Sequence, residues 1–60
     1  MIERSVDLAL PRNEVVEICR TLGIATYFTE SMSAGFTRVY CKSRHGAHEI
    51  RREYGEFVVH

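Results

Sequence analysis

Sixty residues suffice for one domain around one small core, and a chain this short buries only about 60% of the surface its unfolded form exposes. Its two cysteines, Cys19 and Cys41, exclude a scaffold of several disulfides, which leaves a second copy of the chain as the expected staple. Eight basic and eight acidic residues cancel, which excludes a polycation that binds nucleic acid or anionic lipid by bulk charge alone.

The first element is a short strand, because Val6, Leu8 and Leu10 alternate at period two and give it one buried face. Pro11 ends strand pairing and suits the first turn of a helix, with Asn13 as the competing cap. Val15, Ile18, Cys19 and Leu22 follow at i, i+3, i+4 and i+7, an apolar stripe about 100° wide. Glu14 and Glu17 lie early in this helix and Arg20 lies late, each on the favourable side of its dipole. Gly23 followed by Ile24 suits a Schellman ending. Residues 24–54 then read as three β-prone runs cut by two short Gly-containing turns.

Written out as an antiparallel meander, the first hairpin centres on Ala34. It pairs Met32 with Phe36, Glu30 with Arg38, Phe28 with Tyr40 and Thr26 with Lys42. The second centres between His45 and Gly46 and pairs Lys42 with Glu49, Cys41 with Ile50 and Arg38 with Glu53. Opposite charges face each other on three rungs, each contributing about 0.2–1 kcal/mol. Tyr27, Val39, Cys41, Ile50 and Tyr54 then share the inner face, and Phe28, Arg38, Tyr40, Lys42 and Arg51 share the outer one. Arg52 falls on the inner face and has to escape at the edge.

The expected fold class is therefore α+β: one domain over residues 1–60 in the order β-α-β-β-β, its meander packed on one helix. The alternative is βαββαβ. There residues 46–54 form a second helix, with Gly46 at its start, Ala47, Ile50 and Tyr54 at helical spacing and Gly55 at its end. Residues 56–60 become a last strand.

Cys41, His45 and His48 are spaced C-x3-H-x2-H, borderline ligands of the kind zinc accepts, with Cys19 able to approach from the helix. The spacing is not that of a finger, and both cysteines fit buried apolar faces, so no metal or other cofactor is expected. A Cys19–Cys41 disulfide is ruled against by a reducing compartment. Cys41, Ser31, Ser33 or Ser43 beside His45 or His48 gives no Gly-flanked nucleophile elbow, so no enzyme is expected.

Charge is uneven along the chain. Residues 1–30 carry three arginines against five carboxylates, whereas residues 38–52 carry Arg38, Lys42, Arg44, Arg51 and Arg52 against Glu49. Together with Phe28 and Tyr40 these cations interleave with aromatics, a pattern used both for nucleic-acid stacking and for protein hot spots. Met32 and Phe36 flank the hairpin tip as a docking element. Residues 16–24 are similar to the first helix and turn of a helix-turn-helix, and to the opening of small HicA-type toxins. Thr26-Tyr27-Phe28-Thr29 is a strand pattern where a recognition helix would stand, and no histidine precedes His45, so neither family is assigned.

No window approaches the roughly 20 apolar residues that span a bilayer, and Met1-Ile2-Glu3-Arg4 leads into no apolar run of the signal-peptide kind. The expectation is a cytoplasmic, homodimeric, non-enzymatic binding protein. It is a regulator or inhibitor, of the size common among phage proteins, that docks a protein partner through Phe28, Met32, Phe36, Arg38, Tyr40, Lys42, Arg44 and Arg51. Nucleic-acid binding through residues 38–52 is the alternative.

Overall fold

Val6 and Leu8 alternate with Ser5 and Asp7, and the strand they form (β1, Ser5–Leu8) buries both apolar side chains and leaves the polar pair half-buried. The computed structural model describes residues 4–59. Pro11 takes an extended conformation and caps the first helix (α1, Arg12–Leu22) without a side-chain bond, so Asn13 lies inside the helix rather than at its cap. Val15, Ile18 and Cys19 are buried on one side, and Leu22 packs half-buried beside them. Gly23 adopts φ 68°. Its amide donates to the Arg20 carbonyl at 3.1 Å and that of Ile24 donates to the Cys19 carbonyl at 2.9 Å, the two bonds of a Schellman ending.

Thr26–Ser31 (β2) and Thr37–Cys41 (β3) form the expected hairpin, with Phe28 opposite Tyr40 and Glu30 opposite Arg38. The Met32 amide donates to the Phe36 carbonyl at 2.8 Å, and Gly35, at φ 84°, closes the tip by donating to the Met32 carbonyl. A type I turn followed by a left-handed glycine has this form. Near its start β2 is irregular: the ladder shifts between Thr26 and Phe28, so Thr26 faces Cys41 and not Lys42. That bulge inserts an extra residue, Tyr27, and turns it outward, where it is 63% exposed. The inner-face position expected for Tyr27 is thereby corrected.

The third neighbour is where the meander fails. Residues 44–53 are helical (α2, Arg44–Glu53), as in the alternative, and the strand beside β3 is β1. The sheet order is β1-β3-β2, with β3 antiparallel to both neighbours. Physical reasons favour this solution. A third strand over 46–54 placed Arg52 on the buried face, whereas the helix buries Gly46, Ala47 and Ile50 and turns Arg51, Arg52 and Glu53 outward. Ser43, not Gly46, caps α2, its Oγ accepting the Gly46 amide at 3.1 Å. The Lys42–Glu49 and Arg38–Glu53 rungs do not exist. Glu49 instead accepts from Arg52 at 2.6 Å within α2, and Asp7 of β1 stands opposite Arg38.

Both helices cover the same face of the sheet. Val6, Leu8, Val15, Cys19, Val39, Cys41, Ala47 and Ile50 form one core between them, and Leu10, Leu22, Ile24, Tyr54, Phe57 and Val58 pack around its rim. Among the described residues Thr37 is the buried polar one, and its hydroxyl donates to the Leu10 carbonyl at 2.8 Å. After α2 a 3₁₀ turn (Gly55–Phe57) leads to Val58, which bridges to Leu8. The expected last strand is thus reduced to a bridge, and its final residue, His60, lies outside the described residues with Met1, Ile2 and Glu3. Among the described residues no helix is long and apolar enough to cross a membrane. The architecture is a small α+β domain of two helices on one face of a three-stranded antiparallel sheet.

Candidate functional site

Because both helices pack on one side, the other side of the sheet is open, and strand alternation decides what it displays. β3 turns Thr37, Val39 and Cys41 inward and Arg38 and Tyr40 outward. Alongside them stand Ser5 and Asp7 of β1, and Phe28 and Glu30 of β2. The Phe28 and Tyr40 rings stack with centroids 4.4 Å apart and planes 29° from parallel. Phe28 is nevertheless 53% exposed. Next to this stack the bulge presents Tyr27, with the Lys42 ammonium 5.6 Å from its ring centroid. Three aromatics and a cation thus occupy one end of the open face.

The other end is electrostatically closed on itself. Arg38 donates from Nε to Asp7 Oδ1 at 2.7 Å and from a terminal nitrogen to Asp7 Oδ2 at 2.9 Å, a bidentate pair. Those hydrogen bonds first, and one to Tyr40 second, hold the Arg38 proton even more firmly than usual. Glu30 flanks Arg38 from the other strand. A guanidinium held bidentately by one carboxylate offers little to a phosphate.

The structure therefore gathers four of the expected contact residues, Phe28, Arg38, Tyr40 and Lys42, on one surface. Met32 and Phe36 stand half-buried at the base of the hairpin tip rather than fully exposed on it. Arg44 and Arg51 ride on α2, on the covered side of the sheet, and Arg51 donates to the Ser5 carbonyl at the β1 edge at 2.8 Å. The basic run of residues 38–52 is thus contiguous in sequence but divided in space. Asp7 and Tyr27 were missed as parts of this surface. For Asp7 the signal was present in the alternation of β1, which set it opposite Val6 and Leu8.

The chemical alternatives fare differently. Cys41 is fully buried and His45 and His48 are exposed on α2, so C-x3-H-x2-H is not drawn together. Among the described residues no three His, Cys, Asp or Glu side chains are grouped to hold a metal ion. Both cysteines are free thiols, Cys41 pushed up to about 11 by burial first and Cys19 second, and Cys19 raised by burial. Buried thiols that hold their protons are poor nucleophiles. Ser43 spends its oxygen on the α2 cap. His45 lies 3.9 Å from Glu49 on the helix surface.

Comparison of the chain with protein-family models, with curated proteins and with solved structures finds no match in any of the three.

Proposed function

We propose that this protein is a non-enzymatic binding protein, a regulator or inhibitor that docks a larger protein through the open face of its sheet. The observation that carries this reading is the stacked Phe28–Tyr40 pair with Tyr27 beside it, Phe28 and Tyr27 exposed and Tyr40 half-buried, on a face whose arginine is already neutralised by Asp7. Exposed large aromatics grouped together are the informative departure from an ordinary surface. They offer rigid contact area at little entropic cost, which is why Tyr and Trp dominate hot spots. The pairing of Arg38 with Asp7 favours a protein over a nucleic acid, because a phosphate would compete with a bidentate carboxylate already in place.

The experiment is capture of a partner from source-cell extract by the full chain, with and without nuclease, followed by affinity measurement with the purified partner. Phe28→Ala and Tyr40→Ala are expected to weaken binding by about 2 kcal/mol each, roughly thirtyfold. Removing Arg38, Lys42 and Arg51 together is expected to matter less. The reading fails if capture disappears with nuclease, if affinity falls steeply with salt, and if the triple charge removal outweighs the aromatic changes. That combination would assign nucleic-acid binding instead.

A further inference from the structure

The charges on the open face of the sheet are sorted along its strands. On the outward rung nearest the hairpin turn, Asp7, Arg38 and Glu30 stand in a row across β1, β3 and β2. Asp7 neutralises Arg38 through two hydrogen bonds, so the row keeps one net negative charge, that of Glu30. Four residues along the chain from Arg38, about 13 Å at the rise of a strand, Lys42 makes the other end positive. Its ammonium lies 5.6 Å from the Tyr27 ring centroid, which keeps that charge over the face. Glu30 and Lys42 are both exposed, and neither enters an ion pair among the described residues. Between them stands the Phe28–Tyr40 stack. The order along the face is carboxylate, aromatic pair, ammonium.

Backbone chemistry narrows what can lie on such a surface. The face of a sheet offers side chains and no ladder, so an extended segment laid over the rings would bury amides and carbonyls without partners. A helix bonds its own backbone and brings only side chains to the contact, as α1 and α2 do on the other face.

Taking this face as the protein-docking surface proposed above, we infer that its partner presents an amphipathic α-helix whose contact stripe carries an acidic and a basic residue seven or eight positions apart with an apolar residue between them. Seven or eight residues of helix rise about 11–12 Å, close to the separation of the two charges along the strand. The acidic side chain meets Lys42, the apolar one seats on Phe28 and Tyr40, and the basic one meets Glu30. A helix running in either direction meets these terms, so the pair of opposite charges defines the partner and their order does not. A nucleic acid meets only half of them, because its phosphates suit Lys42 and are repelled by Glu30.

The probe is an mRNA-display library of helical peptides of about 20 residues, randomised along one face and selected against the immobilised full chain. Enriched peptides are expected to carry the acidic, apolar and basic residues at that spacing, and to bind the Phe28→Ala chain about tenfold more weakly or worse. Glu30→Lys is expected to weaken the same peptides about tenfold and, in a parallel selection, to enrich peptides with acids at both ends. Lys42→Glu is expected to enrich bases at both ends. Both positions are exposed, so native circular dichroism is expected of both variants, and either one alone reads the rule if the other does not fold. Peptides that need Phe28 but bind both charge variants unchanged overturn the inferred charge pattern and leave the docking reading intact. Peptides that ignore Phe28→Ala overturn that reading as well. A selection that enriches no peptide overturns the inference, and so does a dimer of the chain, seen by native mass spectrometry, that Phe28→Ala dissociates, since it gives the face to a second copy.

Discussion

Cys41 lies wholly buried on β3, which pushes its thiol up to about 11 from the ordinary 9.0. Burial is the main cause, with Cys19 adding to it and Arg51 opposing. In the unfolded chain the thiol ionises near its ordinary value, so above that pH the native state holds more protons than the unfolded one. Stability therefore falls as pH rises through this window, and is untouched by this group below it. The urea midpoint is expected to decline between about pH 9 and 11, with Cys19 contributing in the same direction. Cys41→Ala is expected to be less stable throughout, because it leaves a cavity, and to decline less steeply. At this scale the sequence made the Phe28–Tyr40 pairing and the Glu30–Arg38 rung legible, because a short glycine turn sets the register of its hairpin. It hid Tyr27, whose outward position depends on a bulge that alternation alone does not reveal. It also hid Asp7 as the partner of Arg38, since the two are 31 residues apart.

Among the elements, α2 teaches the most. Its residues satisfied both periods, and the charges offered plausible rungs to a strand, so pairing arithmetic alone favoured the meander. Two local signals pointed to the helix: Ser43 as a cap three residues before Gly46, and Arg52, which a strand had to bury. Both come from α2 itself, whereas the meander drew its support from distant partners. Gly46 marks where this helix comes closest to its neighbours. A Cβ added there would lie 2.8 Å from Cγ2 of Ile24 and 3.6 Å from Cβ of Cys41. Alanine is the better helix former by about 1 kcal/mol, but the Ile24 methyl sits on a branched carbon and cannot swing aside. Gly46→Ala is accordingly expected to destabilise the protein by about 1 kcal/mol net, measured by chemical denaturation. Ser43→Ala is expected to lose about 1 kcal/mol through the cap alone. α1, by contrast, was legible along its stripe and at its glycine ending, which agree with its dipole charges, and only its start stayed open between Pro11 and Asn13.

For the whole molecule, α+β class and one small core followed from length and pattern. Strand order did not. Nothing local in Ser5–Leu8 says that it joins β3 rather than β2, and the placement is decided by which arrangement lets both helices cover one face. The order β1-β3-β2 separates contacts of two kinds. The β2–β3 hairpin is closed by a tight turn, whereas β1 reaches β3 only across α1 and β2. Gly35→Ala, which forces a left-handed φ of 84° on alanine, is expected to cost about 1 kcal/mol and to act mainly by slowing folding. Val6→Ala, in β1, is expected to act mainly by speeding unfolding, as read from the two arms of a chevron plot. The central place of β3 bears also on synthesis. On the ribosome β1 emerges before β3, and this partner strand follows only after α1 and β2 have been made. β1 therefore waits, with Val6 and Leu8 lacking their β3 partners, until translation has passed Cys41.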